Sequence, residues 1–229
     1  MIYAVDHVVC AVSAVERDSL ATRLLEAGLR SLPLHLDFAE IGAASDSYAT
    51  ASGSFVELVY ETARGRAPQA WCTELPRVIG IGFSSDDFKS DIAEWVKRDG
   101  AWTMDEEHVL GDGSSVKIRA AGPHPHFDDF YVFVMDRAGG LPYRDHGATA
   151  RLAAITLAGQ RADEWRERLA AWLGVEENVG DTTLAFTLVS HPSIRASLAF
   201  ETALSVEPIE LGAGSMRFVS TGENGAYPF

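Results

Sequence analysis

His7 in VDHVVCAV and Glu57 in SFVELVYE are the side chains of this 229-residue sequence best suited to chemistry. Each stands within a short apolar run, where a polar group needs a partner or a task. A neutral imidazole and a carboxylate are ligands for a divalent metal, and equally a base and the group that orients it. If both runs are strands, residues two apart share a sheet face. His7 then lies with Val5, Val9 and Ala11, and Glu57 with Phe55 and Val59. With the two strands near one another, the pair converges in one apolar concavity. The plainer alternative is that His7 and Glu57 hydrogen-bond each other or the backbone at a cavity edge.

The elements that must position this pair recur along the chain. An apolar strand, a polar break and an amphipathic helix closed by Gly open at Val5, Val78 and Arg151, with the closing glycines at Gly28, Gly100 and Gly174. Those intervals of about seventy residues suit one helix with about four strands. The spacing predicts helices over 14–27, 87–99 and 161–173. Leu20, Leu24 and Leu25, then Phe88, Ile92 and Trp95, then Trp165, Leu169 and Trp172 share helix faces and read as core. Ser13 and Glu16 have capping-box spacing. Strand-like segments follow each helix: 34–41, 47–51 and 54–60; 102–107, 115–120 and 130–135; 182–189, 194–203 and 215–219. The fold class is therefore α+β: repeated βαβββ modules forming curved mixed or antiparallel sheets around a cavity, helices on the convex side. Modules one and two pair over 1–137 and a third, over 151–229, packs on them.

Composition narrows the partners. Nineteen Lys and Arg against thirty-three Asp and Glu leave a formal charge of −14, which repels nucleic acid and anionic membrane surfaces. Two cysteines, Cys10 and Cys72, are too few for a disulfide framework or a thiolate zinc site. No apolar run approaches a membrane span, and the first strand leaves no room for a cleavable leader. The expectation is a cytoplasmic protein with a small-molecule ligand, and a homodimer is an allowed assembly.

The strand opening DHVVCAV, the Gly-terminated helix and the later strand SFVELVYE resemble the first module of the vicinal-oxygen-chelate superfamily, which includes glyoxalase I, extradiol dioxygenases and bleomycin-resistance proteins. DDFYVFVMDRAGGLPY followed by a new strand is similar to the second-to-third module junction of single-chain glyoxalase-like members. The resemblance covers most of the chain through short motifs. It implies paired modules around a cavity, with metal ligands on the first and fourth strands of each module. On that pattern His7 matches the first-strand ligand and Glu57 the fourth-strand ligand.

The later copies depart from it. The counterpart of His7 is Val78 or Ile79 in copy two and Ala153 or Ala154 in copy three; that of Glu57 is Val132 or Asp129. A third ligand has to come from elsewhere. His124, His126 and Asp129 in GPHPHFDDF are nearest in sequence, with His126 taken as the ligand and His35 as another candidate; His108, His146 and His191 read as surface positions. Gly80 and Gly82 in VIGIG lack a dinucleotide fingerprint and read as keeping a strand face open.

Two functional classes follow. In the preferred one, a divalent ion (Zn, Mn, Fe or Ni) on His7, Glu57 and His126 supports lyase, isomerase or oxygenase-like chemistry, with Glu57 also able to act as base. In the other, the cavity binds or sequesters a molecule without metal or turnover. The cavity is expected to be lined by Val5, Val9, Phe55 and Val59, with Val78 and Gly80 opposite. That lining suits a small, partly apolar oxygenated molecule rather than a sugar phosphate.

Overall fold

The computed structural model describes residues 2–63, 65–68, 74–98, 100–110, 113–123, 130–138, 146–174, 177–212 and 214–220. The first module runs β1 (Ile2–Ala11), α1 (Arg17–Glu26), β2 (Arg30–Phe38), β3 (Ala43–Ala49) and β4 (Phe55–Glu61). The second runs β5 (Arg77–Ser85), α2 (Phe88–Arg98), β6 (Ala101–Val109), β7 (Ser115–Pro123) and β8 (Tyr131–Asp136). Together they make one eight-stranded sheet in the order β2-β3-β4-β1-β5-β8-β7-β6. In each module the last strand returns parallel beside the first, and the modules join through the antiparallel β1–β5 seam.

The sheet curls. Leu34 and Leu36 of β2 share an apolar cluster with Val116 and Ile118 of β7, although six places in the strand order would hold them far apart in a flat sheet. Strand alternation explains the two faces. Val8 and Cys10 pack outward with Leu20 and Leu24 of α1, while Val9, Ala11, Val59 and Ile79 cluster on the concave side. The helix begins three residues later than the spacing predicts. The Glu16 N–H donates to Ser13 Oγ at 3.2 Å, and the Ser13 hydroxyl donates to the Glu16 carboxylate. Residues 14–16 form a turn before α1, so the cap is used one turn early.

The remaining strands depart from a third complete module. β9 (Arg151–Gly159), α3 (Ala162–Leu173), β10 (Asn178–Val179) and β11 (Thr182–Leu188) form a shortened βαββ unit, in which β11 lies parallel beside β9 as β4 does beside β1. β12 (Arg195–Thr202), β13 (Ile209–Leu211) and β14 (Gly214–Ser220) then make a fourth unit without a helix. Its β14 is parallel to β12 and its β12 antiparallel to β9, the arrangement of β8, β5 and β1. Only six residues, one of them Pro208, separate β12 from β13, too few for a packed helix. The helix was the mark of each copy in the sequence, so a unit lacking it carries no such mark.

This six-stranded sheet, order β10-β11-β9-β12-β14-β13, shares the main core with the outer face of the first sheet. Trp95 Nε1 donates to the Trp172 carbonyl at 2.8 Å, stitching α2 to α3, and Thr202 Oγ1 donates to the Ala27 carbonyl at 3.0 Å. α3 closes at Gly174 with φ of 64°, a left-handed conformation that a side chain would oppose, and its N–H donates to Ala170 at 2.9 Å.

Candidate functional site

A cavity of about 260 Å³ lies inside the first sheet. Its walls are mostly apolar, with Leu34, Leu36, Phe38, Phe55, Val59, Ile79, Met104 and Phe133 among them. The polar groups reaching it come from His7, Glu57, His108, Tyr131, Arg137 and the Trp102 indole. β1 and β4 are adjacent and parallel, with Val9 opposite Glu57 and His7 opposite Phe55. The side chains of His7 and Glu57 therefore meet: His7 Nε2 stands 3.5 Å from Glu57 Oε2.

A buried chain of polar groups holds the pair. Ser45 Oγ donates to Glu57 Oε1 at 2.6 Å, leaving Oε2 for His7. On the far side of the ring, Nδ1 lies 2.7 Å from Asp6 Oδ1. Asp6 also accepts from Ser84 Oγ at 2.9 Å and from Arg137 Nε at 2.8 Å. Burial raises the Asp6 carboxyl, but the His7 hydrogen bond and the Arg137 guanidinium outweigh it and hold the group at about 2. Asp6 is thus an anion that only accepts, so the His7 Nδ1–H donates to it and the ring is held with Nε2 directed at the cavity and Glu57. Phe55 stacks on the ring at 4.5 Å between centroids. Gly82 faces His7 across the β1–β5 seam; a Cβ there would lie 2.9 Å from His7 Cε1 and 2.7 Å from the Phe133 ring.

Asp6 was not among the residues singled out in the sequence, because alternation assigns it to the face opposite His7. A register shift between Val5 and His7 makes Asp6 the extra residue of a bulge. The same shift turns Val5 into the main core rather than the cavity. A second shift leaves Ile79 unpaired between Gly80 and Val78. Val78 consequently packs in the main core and Ile79 takes its expected place in the cavity wall, while Gly80, opposite Val9, contributes no side chain. Val9, Phe55 and Val59 line the cavity.

The histidines divide differently from the expectation. His35 points out of the sheet, with 54 % of its side chain exposed and Nδ1 2.9 Å from Asp46, because Leu34 and Leu36 take the inward positions of β2. His108, expected on the surface, lines the cavity at 13 % exposure, 3.3 Å from Glu106 and edge-on to Phe38. Its charged neighbours in DEEHV disguised it. His124, His126, Asp129 and Cys72 lie outside the described residues. Cys10 is buried under the helices, where burial pushes its thiol up to about 12, so it is neither nucleophile nor ligand at neutral pH.

His7 and Glu57 fit two positions of a metal site. Two ligands about 2.0–2.1 Å from a tetrahedral ion stand roughly 3.4 Å apart, near the 3.5 Å observed, and an Asp on the far ring nitrogen is the usual support of a ligating imidazole. Beside this pair the described second module places no His or carboxylate on its central strands: Gly82 faces His7, and Tyr131, Phe133 and Met135 take the inward positions of β8. Val132, one proposed counterpart of Glu57, is in the main core. Among the described residues no group of three His, Cys, Asp or Glu side chains surrounds a common point.

No protein-family model matches the sequence, and no curated protein matches it by sequence. Solved structures do match the fold. A hypothetical protein from Staphylococcus aureus superposes with a TM-score of 0.70 at 12 % identity, over 95 % of this chain and 99 % of that one. A mutant of 4-hydroxymandelate synthase from Streptomyces coelicolor gives 0.62 at 13 % identity, over 88 % of this chain and 71 % of that one. A fusion of a xylose isomerase-like TIM barrel with 4-hydroxyphenylpyruvate dioxygenase gives 0.58 at 12 % identity, over 88 % of this chain and 37 % of that one. With its paired βαβββ modules, parallel β1–β4 and β5–β8 ladders and concave cavity, this chain has the glyoxalase-like, vicinal-oxygen-chelate fold.

Proposed function

We propose that the chain is an enzyme that binds a small, partly apolar oxygenated molecule in the first-sheet cavity and transforms it by lyase or isomerase chemistry at His7 and Glu57. The observation that carries this reading is the buried Arg137–Asp6–His7–Glu57–Ser45 chain ending in an apolar cavity. An ionised Asp6 serves no packing purpose inside the sheet, and its cost is justified when it fixes the ring that meets the ligand.

In this reading His7 Nε2 and Glu57 Oε2, with His126 as third donor, would hold a divalent ion. Lewis-acid polarisation of a carbonyl or enolate oxygen is the chemistry that such an ion would supply when bound. Alternatively Glu57, released from the ion, would take a proton from the ligand or return one at Oε2 while Ser45 keeps its other oxygen fixed. The walls formed by Phe55, Val59, Ile79 and Phe133 exclude water and hold the hydrocarbon part. Arg137 is engaged by Asp6, which favours neutral or weakly anionic ligands over polyanions.

Metal-free binding without turnover is the second reading, favoured by one observation: the second module offers Gly82, Phe133 and Met135 where ligands would stand. A panel of small 2-oxo acids, 1,2-dicarbonyls and catechols, followed by NMR with and without added divalent metal, separates them. The enzyme reading expects metal-dependent conversion of a ligand that H7A and E57A still bind but do not convert. Saturable binding with no conversion by the metal-loaded wild type supports sequestration.

A further inference from the structure

His108 lines the first cavity but takes no part in the chain of polar groups around His7. The strand order puts β1 and β5 at the centre of the first sheet and β2 and β6 at its two edges. The curl brings those edges together, so the His108 ring on β6 meets Phe38 on β2 edge-on, 6.0 Å between centroids. His108 therefore stands across the cavity from the β1–β5 seam that carries His7. Its Nε2 is shut off from solvent and makes no hydrogen bond among the described residues, although Glu106 Oε2 lies 3.3 Å away. Glu106, two residues earlier, shares the inward face of β6 with His108. Its carboxylate is more than half exposed and keeps its contact with water. A buried nitrogen left without a hydrogen bond in a cavity wall is where a ligand can make the bond that the protein leaves unmade. The concave face of the second sheet, with Thr156, Thr187, Ser197, Ser215 and Arg217 among its described lining, offers no imidazole.

We propose that His108 and Glu106 form a second recognition pole of the first cavity, reading a neutral hydroxyl at the end of the ligand remote from His7 and Glu57. On the use of this cavity proposed above, the ligand is then a molecule with oxygen at both ends of an apolar body. A hydroxyl suits the pair because it does both jobs: it accepts from the imidazole N–H and donates to the Glu106 carboxylate. A ligand carboxylate could only accept, and it would face the Glu106 charge. A methyl in the same place would leave Nε2 without a partner.

The test titrates three catechols that differ at one position into the full chain with oxygen excluded: 4-(hydroxymethyl)catechol, 4-ethylcatechol and 3,4-dihydroxybenzoate. Affinities are read from the ring resonances of His7 and His108. In wild type the hydroxymethyl compound should move both rings and bind about tenfold tighter than either of the others, the value of one well-made hydrogen bond. H108F keeps an aromatic ring against Phe38 and should lose the preference for hydroxymethyl over ethyl. E106Q, a change at a half-exposed position, should strengthen binding of 3,4-dihydroxybenzoate about fivefold by removing the like charge. The second pole is overturned by equal binding of the hydroxymethyl and ethyl compounds in wild type, by H108F with its preference intact, or by E106Q that rejects the carboxylate as wild type does. If His7 still responds saturably in those cases, the proposed use of the cavity stands without it. Catechols that move neither ring would remove that use, and the second pole with it.

Discussion

At His7 three neighbours fix one ring: Asp6 at Nδ1, Phe55 against its face, and the bare backbone of Gly82 where any side chain would collide. Gly82→Ala should therefore displace His7 or Phe133 and cost roughly 1–3 kcal/mol, read from urea unfolding together with movement of the His7 ring resonances. A variant of wild-type stability with unmoved resonances would show that the seam has room to spare. Asp6 makes a separate prediction in acid. Its carboxyl, normally near 3.8, is held at about 2. The stability it contributes is complete above the unfolded value and is lost as pH falls through the folded one. The difference is worth roughly 2 kcal/mol. Unfolding free energies at pH 5, 3 and 2 should fall less steeply in D6N than in wild type; parallel declines would mean that Asp6 is not held as an anion. His7 and Glu57 were legible because polar residues in apolar strands obey the two-residue period. Asp6 was not, since that same period sends it to the wrong face.

Among the elements, what the sequence left out are interruptions of regular pairing. Bulges at Asp6 and Ile79 each exchange which neighbour faces the cavity, and nothing in VDHVV or RVIGI marks an extra residue. Helices were easier to read, since Leu20, Leu24, Trp95, Trp165, Leu169 and Trp172 recur at helical spacing and are buried, although Leu25, read on the same face as Leu24, is 40 % exposed at the edge of that stripe. The Ser13 cap is also a sequence feature with a measurable effect. Ser13→Ala removes the acceptor of the Glu16 N–H and should lower stability by about 1 kcal/mol, measured as a shift in urea midpoint without a change in slope. No effect would mean that the turn before α1 is held by its backbone bonds alone.

Across the whole molecule, the 3.6-residue helix period revealed three units where the strand ladders make four, because the unit built from β12 to β14 dispenses with its helix. Pairing of modules depends on long-range ladders that one-dimensional spacing does not encode, whereas the four strands of each of the first two modules were readable from turns and alternation. No helix among the described residues is long and apolar enough to cross a membrane. The two concave faces have diverged: the first keeps an imidazole and a carboxylate, the second hydroxyls and a guanidinium. In the proposed function the first face works through an ion held by His7 and Glu57. Its most direct measurement is the metal bound per chain after purification without chelator, in wild type, H7A, E57A and H126A. One Zn, Mn, Fe or Ni ion per wild-type chain and at least a tenfold loss of affinity in each variant are expected; a metal-free wild type that takes up none of these ions, or full occupancy in H7A and E57A, would contradict a metal held by this pair.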